Sequence, residues 1–391
     1  MRTKILLVTT VQWPSAARLA GAFANLGARV EAVFPRRHVL SACRYLDRAY
    51  RYRALDGSAS IAEAITAAKP DRIIPCDDRA LLLLLPLKQF APLLERSLGP
   101  LDGYEVLTAR APSIAVAREE GITAPLTLAV ADREALPRAL AEAGLPCVMK
   151  ADGSWGGGGV KFVCSQADAE RAFAELEGPP SRLRSMVRAV LRSDLHFLAE
   201  ARHPARAQVN VQALITGKPA TTVFAAHEGR VLAAMHMDVV SWAGDTGPAS
   251  LMSRIDCPAM DEAAAKLAAR FRLNGLHGLD FMRDKDGVPH LIEINPRATQ
   301  ICHLPLSADL PAALLGLLPR EPVTMGRKIA LFPQLLSAGE LPRETYRDIP
   351  WDDPGVLRAA AGDHLPEAEG LETIAEFARP GGGPPILRKS A

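Results

Sequence analysis

The chain has 391 residues, enough for two or three domains, and its 46 basic and 44 acidic residues leave a net charge of +2. This balance favours neither nucleic acid nor a membrane surface, and we predict neither as a partner. The six cysteines are scattered with no C-x-x-C pair, so neither a zinc site nor a disulfide framework is expected. No apolar run reaches membrane-span length, and the protein is predicted to be cytoplasmic.

The first hundred residues alternate short apolar strands with amphipathic helices. The opening run KILLVTT (4–10) is too short for a signal peptide and is predicted to be a strand. Helix-length crossovers between such strands predict a parallel, doubly wound sheet. The first turn lacks G-x-G-x-x-G, so no dinucleotide site is expected there. Asp77 and Asp78 follow a strand at the edge where such sheets often bind ligands, but capping of the next helix is the commoner role.

A glycine-rich loop joins two predicted strands in PCVMKADGSWGGGGVKF (146–162). Four consecutive glycines, 156–159, cost conformational entropy and are useful where backbone N–H groups must approach an anion closely. No Gly-Lys-Ser/Thr closes the loop, so it is not a P-loop. Lys150 ends the preceding strand and can reach a phosphate as a point charge. A flexible hairpin tip with a surface lysine is the alternative interpretation.

The segment GLDFMRDKDGVPHLIEINPR (278–297) is predicted to be a β-hairpin. Asp286-Gly287 is a favoured two-residue hairpin loop. In the register that this loop sets, Asp280 lies directly opposite Glu293, with Cβ atoms about 5 Å apart.

Like charges in facing positions destabilise a bare hairpin, and Mg²⁺, which takes carboxylate oxygens together with phosphates and waters, removes that repulsion. Because side chains alternate along a strand, Leu291, Glu293 and Asn295 are expected to share one face. Arg297 adds a cation able to bind a transferring phosphoryl group or a carboxylate. The glycine loop and this hairpin together indicate an enzyme that uses a nucleoside triphosphate; a solvated polar face is the alternative for the hairpin alone.

These motifs resemble those of the ATP-grasp superfamily over roughly residues 1–305. The hairpin and its extension (278–300) resemble the family's metal-binding segment, in which an acidic residue and a Glu-x-Asn thirteen positions later bind magnesium and the ATP phosphates. Residues 146–160 resemble its lysine strand and glycine flap, and VNVQALITGKPATTV (209–223) resembles its adenine hinge. The branch that looks most similar is that of carbamoyl-phosphate synthase large chains, because of LIEINPRATQ and TGPAS.

The resemblance implies an α/β protein with the ATP-grasp fold and an N-terminal doubly wound parallel-sheet domain at 1–103. It implies a catalytic core at 104–305, with a flap subdomain at about 146–215, and a C-terminal extension at 306–391. The implied activity is an ATP- and Mg²⁺-dependent ligase, with Mn²⁺ as an alternative ion, that activates a carboxylate as an acylphosphate and joins it to an amine. An ATP-binding regulator without turnover, or a kinase or carboxylase on the same scaffold, is the alternative, and a homodimer is left open.

Carried over residue by residue, the resemblance implies a metal site formed by Asp280, Glu293 and Asn295, with Glu293 between two ions. Lys150 and Arg297 are the implied catalytic residues: Lys150 contacts the α- and β-phosphates, and Arg297 binds the transferring phosphoryl group or a carboxylate.

The implied nucleotide site departs from the family pattern at two positions. Arg110 stands where a lysine is usual, which keeps the charge but changes its geometry, and Gln212 stands where a glutamate is common. No acid lies near Pro219, where many members bind the ribose. The residues implied to bind the nucleotide are Arg110, Lys150, Gly156, Gly157, Gly158, Gly159, Gln212, Ala213 and Ile215.

Overall fold

Three β-sheets carry the fold in the computed structural model. The structure describes residues 2–153, 159–178, 207–242, 247–337 and 341–362.

The first sheet is parallel, as the sequence predicts, with strand order β3-β2-β1-β4. Its strands are β1 (Lys4–Val8), β2 (Arg29–Phe34), β3 (Arg48–Arg51) and β4 (Arg72–Pro75), and its helices are α1 (Ser15–Asn25), α2 (Gly57–Ala68), α3 (Asp78–Leu84) and α4 (Ala91–Leu98). The chain steps from β1 to β2 and β3 on one side and then places β4 on the other side of β1. The sequence does not predict β3, because this short edge strand is largely exposed and lacks an apolar run.

The second sheet has seven strands in the order β13-β12-β9-β10-β11-β14-β15, all paired antiparallel except β14 with β15. Its strands are β9 (Lys218–His227), β10 (Arg230–Trp242), β11 (Ala249–Ile255), β12 (Gly275–Arg283), β13 (Pro289–Asn295), β14 (Lys328–Leu331) and β15 (Tyr346–Asp348). The last two strands come from the C-terminal region, and the sequence does not predict them because both are too short to give a pattern of their own.

The third sheet is antiparallel, with the order β5-β8-β6-β7. Its strands are β5 (Thr127–Val130), β6 (Cys147–Ala151), β7 (Val160–Val163) and β8 (Val209–Ala213), and it packs against α7 (Leu136–Ala143) and α8 (Gln166–Glu177). The remaining helices are α5 (Tyr104–Leu107), α6 (Arg110–Glu119), α9 (Pro258–Phe271), α10 (Leu310–Leu315) and α11 (Pro354–Ala361). No helix within the described ranges is long and apolar enough to cross a bilayer. The domain boundaries stay a prediction.

The predicted hairpin forms from β12 and β13, but its loop has three residues instead of two. The backbone N–H of Asp284 donates to the carbonyl oxygen of Val288 at 3.0 Å, and Gly287 takes a positive φ of 82°. The Asp284 carboxylate accepts the backbone N–H groups of Asp286 and Val288, which stabilises the turn. The prediction that Asp286 and Gly287 alone form the loop is therefore wrong.

A β-bulge at Ile292 offsets the longer loop. The loop register alone would place Asp280 opposite Ile292, but the register shifts between Phe281 and Asp280 and restores the predicted pairing of Asp280 with Glu293. The bulge also turns Leu291 into the hydrophobic core, where it is fully buried. Leu291 therefore does not share a face with Glu293, contrary to the prediction.

A buried charge cluster connects the N-terminal region to the last strand. Arg18 on α1 donates through Nη2 to Oδ1 of Asp348 at 2.6 Å, and Nε2 of His303 lies 2.9 Å from Oδ2 of Asp348. Burial alone would raise the pKa of Asp348, but the attraction of Arg18 and His303 outweighs it and lowers that pKa. Asp352 approaches the same Arg18 at 3.5 Å from a half-exposed position.

Replacing Asp348 with Asn is expected to lower the free energy of unfolding at pH 7 by about 3–5 kcal/mol, because Arg18 keeps a buried charge without its carboxylate. Since the folded pKa of Asp348 is depressed, its contribution is complete above the ordinary carboxyl pKa of about 3.9 and is lost on acidification below it. Chemical denaturation at several pH values measures both effects. Asp352→Asn is the control and should cost at most about 1 kcal/mol; equal costs for the two variants would contradict a structural role for the cluster.

Candidate active site

A cavity of about 510 Å³ lies between the four-stranded antiparallel sheet and the β12–β13 hairpin, and this volume is in the usual range for small-molecule pockets. Its wall combines apolar side chains with a few convergent charged and amide groups. The predicted site residues that line it are Lys150, Gln212, Ala213, Ile215, Asp280, Glu293, Asn295 and Arg297. Sequence positions up to 147 residues apart are thus brought to one cavity, as the resemblance implies.

Asp280 and Glu293 face each other across the hairpin on the cavity wall. Oδ2 of Asp280 accepts the side-chain N–H of Asn295 at 2.8 Å. Thr221 pairs with Asp280 on the neighbouring strand, where its hydroxyl donates to the carbonyl oxygen of Leu279 at 3.2 Å. Burial raises the pKa of Asp280, and the charge of Glu293 raises it further. A divalent cation bound by both carboxylates would reduce their repulsion and stabilise their charged forms.

Arg110, the first residue of α6, reaches Glu293 from the side. Its Nη1 lies 2.8 Å from Oε1 of Glu293, and its Nε lies 3.6 Å from Oδ1 of Asp152. Oδ1 of Asp152 also accepts the side-chain N–H of Asn210 at 2.9 Å. Burial lowers the pKa of Arg110, but Glu293 and Asp152 outweigh this effect and raise it, so the guanidinium stays charged. Arg110 therefore contacts the proposed metal ligand directly rather than lining the large cavity.

Gln212 holds Lys150 in place. Nζ of Lys150 donates to Oε1 of Gln212 at 2.8 Å, while Nε2 of Gln212 donates to Oγ1 of Thr127 at 2.9 Å and to the carbonyl oxygen of Ile292 at 3.2 Å. Both ends of the Gln212 amide are thus engaged within the protein. The bulge residue Ile292 takes part in this contact, so the hairpin and the lysine strand are joined through Gln212.

The ammonium group of Lys150 is buried among opposing charges. Burial lowers the pKa of Lys150 to about 8 and the charge of Arg110 lowers it as well, while Glu293 and Asp280 act in the opposite direction. Near neutral pH the side chain therefore still carries its proton and can bind an anion.

Arg297 connects the hairpin to the first sheet. Its guanidinium binds both carboxylate oxygens of Asp78 at 2.7 and 2.8 Å, and Nη2 also donates to Oδ1 of Asn295 at 3.0 Å. Asp77 does cap α3, through the backbone N–H of Ala80, but Asp78 has this different function. Asp78 follows β4 at the edge where such sheets often bind ligands, and this position is the sequence signal for a place in the site. Helix capping is the role of Asp77 and not of Asp78.

Further residues in the site carry weaker sequence signals. Asp152 comes two positions after Lys150, which predicts the same side of the strand. Thr221 pairs with Asp280 across β9 and β12, a register that the sequence does not reveal. Aromatic residues also line the cavity. Phe162 on β7 has 72% of its surface exposed, and Trp13 lies in the segment after β1.

The glycine loop lies mostly outside the described residues, which exclude Gly156, Gly157 and Gly158. Gly159 is buried, and its carbonyl oxygen accepts the backbone N–H of Ala151 at 3.1 Å, which closes the β6–β7 pair. The phosphate contact of this loop stays a prediction.

Residues 118–300 match the profile of a family described as ATP-grasp domain. The matched segment includes the lysine strand, the hinge and the hairpin, whereas Arg110 precedes it. No curated protein sequence matches the chain.

Several solved structures share the fold. Biotin carboxylase from Campylobacter jejuni in complex with β-γ-ATP has a TM-score of 0.60 and 16% identity, covering 82% of this chain and 73% of that one. The biotin carboxylase domain dimer of the 2-oxoglutarate carboxylase from Hydrogenobacter thermophilus, with MgADP, ADP and bicarbonate, has a TM-score of 0.58 and 18% identity, covering 84% and 72%. N5-carboxyaminoimidazole synthetase from Staphylococcus aureus, complexed with ADP, has a TM-score of 0.59 and 14% identity, covering 82% and 80%.

The charges around Lys150 predict pKa changes of opposite sign in two variants. Arg110→Met removes a cation that lowers the pKa of Lys150 and is expected to raise it; Glu293→Gln removes an anion that raises the pKa and is expected to lower it. An NMR titration of isotope-labelled lysines, with the Lys150 signal assigned by its loss in Lys150→Met, measures both. Glu63→Gln removes an exposed carboxylate on α2 and serves as the control. Shifts in the same direction, or a wild-type value near 10.4, would contradict this electrostatic description.

Proposed function

We propose that the chain, which matches an ATP-grasp domain over residues 118–300 and has the ATP-grasp fold, is an ATP- and Mg²⁺-dependent ligase that joins a carboxylate to an amine. The observation that carries the proposal is the pair of facing carboxylates, Asp280 and Glu293, surrounded by the cations Lys150, Arg110 and Arg297. Phosphoryl transfer needs positioned charges of both signs more than a covalent catalyst.

Mg²⁺ fits the oxygen atoms that Asp280, Glu293 and Asn295 offer. The raised pKa of Asp280 reflects burial and like-charge repulsion, which a divalent cation relieves. The described part of the chain contains no group of three or more His, Cys, Asp or Glu side chains placed to hold a metal, so nucleotide phosphates and waters would complete the shell. Bound there, Mg²⁺ would neutralise charge on the transferring phosphoryl group, and Mn²⁺ would accept the same oxygen ligands.

The other predicted residues surround the nucleotide in this proposal. Lys150 places an ammonium charge on the phosphates, and Gln212 positions Lys150 rather than contacting the base. Backbone groups of Ala213 and Ile215 are left to recognise adenine. The N–H groups of the glycine loop, 156–159, cover the phosphates, and Arg110 holds Glu293.

The reaction then has two balanced steps. A substrate carboxylate oxygen attacks the γ-phosphorus of ATP, the bond to the bridging oxygen breaks and ADP leaves, which yields an acylphosphate. An amine nitrogen attacks the acyl carbon, phosphate leaves with the bonding electrons and the nitrogen loses a proton. In this proposal the protein contributes position and charge, through the cations and carboxylates that line the cavity.

We propose that the protein acts in the cytoplasm. All six cysteines are unpaired in the structure, as in proteins kept in a reducing compartment. The partners are small-molecule carboxylates and amines. Association into a homodimer stays open.

A phosphate-release assay over pairs of carboxylates and amines, with bicarbonate among the carboxylates, tests the proposal. Release that requires one partner of each kind, with an amide product found by mass spectrometry, is the expected result. A phosphorylated product without phosphate release would indicate a kinase instead. Nucleotide binding without turnover on any pair would indicate a regulator.

Glu293→Gln is expected to lower turnover by at least about 10²-fold, the usual consequence of losing one charge-stabilising group at a reaction centre. Glu262→Gln, at an exposed carboxylate of α9, is the matched control and should leave turnover unchanged. Steady-state rates at saturating ATP and Mg²⁺ give the comparison. Unchanged turnover in Glu293→Gln would refute the metal role of this residue.

A further inference from the structure

A second cavity, of about 50 Å³, lies outside the C-terminal ends of β1 and β4. These two strands are neighbours in the sheet, and the chain adds β2 and β3 on one side of β1 and β4 on the other, so the strand order reverses at the crevice between β1 and β4; open α/β sheets commonly bind ligands at such a topological switch point. Val11 and Trp13 line it after β1, Asp78 lines it after β4, and Arg297 and Gln300 line it from the segment after the hairpin.

This switch-point cavity adjoins the larger one. Trp13, Arg297, Thr299 and Gln300 line both, so a ligand in the small cavity extends into the large one at Arg297. Arg297 in turn holds the amide of Asn295, beside the facing carboxylates. A group bound to Arg297 is therefore placed next to the predicted phosphate and metal site.

Four charged residues line the switch-point cavity, Asp77, Asp78, Arg79 and Arg297, and two of them form an ion pair at the junction with the large cavity. Asp78 and Arg297 form a two-bond ion pair at 2.7 and 2.8 Å, and their side chains remain 33% and 18% exposed. Asp77 beside them already has other partners, since its oxygens accept hydrogen bonds from Thr9, Thr10 and the backbone N–H of Ala80. Asp78 is thus the carboxylate at this wall that can exchange its partner.

A ligand with both charges suits such a pair better than a ligand with one. A lone carboxylate bound to Arg297 would separate Asp78 from its ion-pair partner, and a lone ammonium bound to Asp78 would do the same to Arg297. A zwitterion compensates both groups at once. The small volume, room for about three or four waters, limits the part held there to a compact group.

We propose that the switch-point cavity binds an amino-acid-like zwitterion, its ammonium on Asp78 and its carboxylate on Arg297. This deepens the proposed function and rests on it. The carboxylate end lies toward the large cavity and is the group that attacks the γ-phosphate. Asp78 keeps the amine of this ligand protonated, and a protonated amine is not nucleophilic. The zwitterion is therefore the acyl donor, and the attacking amine comes from the second substrate.

Matched ligand series test the proposal in the phosphate-release assay. Glycine, L-alanine and L-serine are compared with their des-amino carboxylic acids and their decarboxylated amines, each with a common second amine. The zwitterions are expected to exceed the corresponding carboxylic acids in kcat/KM by about 10–10²-fold, the effect of one hydrogen-bonded charge. The product should contain the zwitterion's carboxyl as the new amide. Equal kcat/KM for both series, or a product acylated on the zwitterion's amine, would overturn the proposal.

The variant Asp78→Asn tests whether Asp78 recognises the ligand or only connects the hairpin to the first sheet through Arg297. The variant is expected to raise the KM for the zwitterion and to reduce the preference for it over the des-amino acid by about 10-fold or more. Asp56→Asn, at an exposed carboxylate paired with Arg53 in the same region, is the control and should keep the wild-type preference. An equal loss with both ligand types would show that Asp78 only ties the hairpin to the first sheet, and would overturn the subsite.

Calorimetric titration of glycine and L-alanine into the protein with MgADP distinguishes failure of the subsite from failure of the ligase function. Binding that Asp78→Asn weakens about 10-fold supports the subsite even if no substrate pair turns over, in which case only the ligase function fails. Absence of amino-acid binding, with MgADP bound normally, overturns the subsite whatever the enzyme's activity.

Discussion

Two carboxylates that repel each other, Asp280 and Glu293, face one another across a hairpin, and the surroundings of the site are arranged around them. The hairpin needs its bulge at Ile292 to create this pairing, because its three-residue loop would otherwise shift the register by one residue. Asn295 holds Asp280 by a hydrogen bond, so the repulsion is accommodated without moving the side chain out of the cavity. A divalent cation is the species that converts this repulsion into binding.

The cations around the pair connect it to the rest of the fold. Arg110 brings α6 to Glu293, and Lys150 brings the four-stranded antiparallel sheet to the same wall through Gln212. Arg297 extends the network to Asp78 and so to the switch point of the first sheet. The proposed nucleotide site and the proposed zwitterion subsite are consequently two ends of one electrostatic network, and this arrangement would place an acyl donor beside the transferring phosphate.

Local patterns predicted much of this arrangement and tertiary contacts account for the rest. Alternation, turn residues and helix periodicity located the parallel sheet and the hairpin. The Asp280–Glu293 pairing was predicted correctly although the loop was not, because the bulge compensates for a loop one residue longer. The roles of Gln212 and Asp78 depend on partners 62 and 219 positions away, which no local pattern reports. The short strands β3, β14 and β15 were missed because their place in the sheets depends on neighbours rather than on their own sequence.

The central claim is that Asp280 and Glu293 bind a divalent cation together with the nucleotide. Its most direct test is the affinity for ADP with and without Mn²⁺, measured by calorimetry for the wild type and for a double variant, Asp280→Asn with Glu293→Gln. We predict that Mn²⁺ strengthens ADP binding at least about 10-fold in the wild type and has little effect in the double variant, since neutral amides are poor ligands for a hard cation. The same strengthening by Mn²⁺ in both proteins would contradict the account.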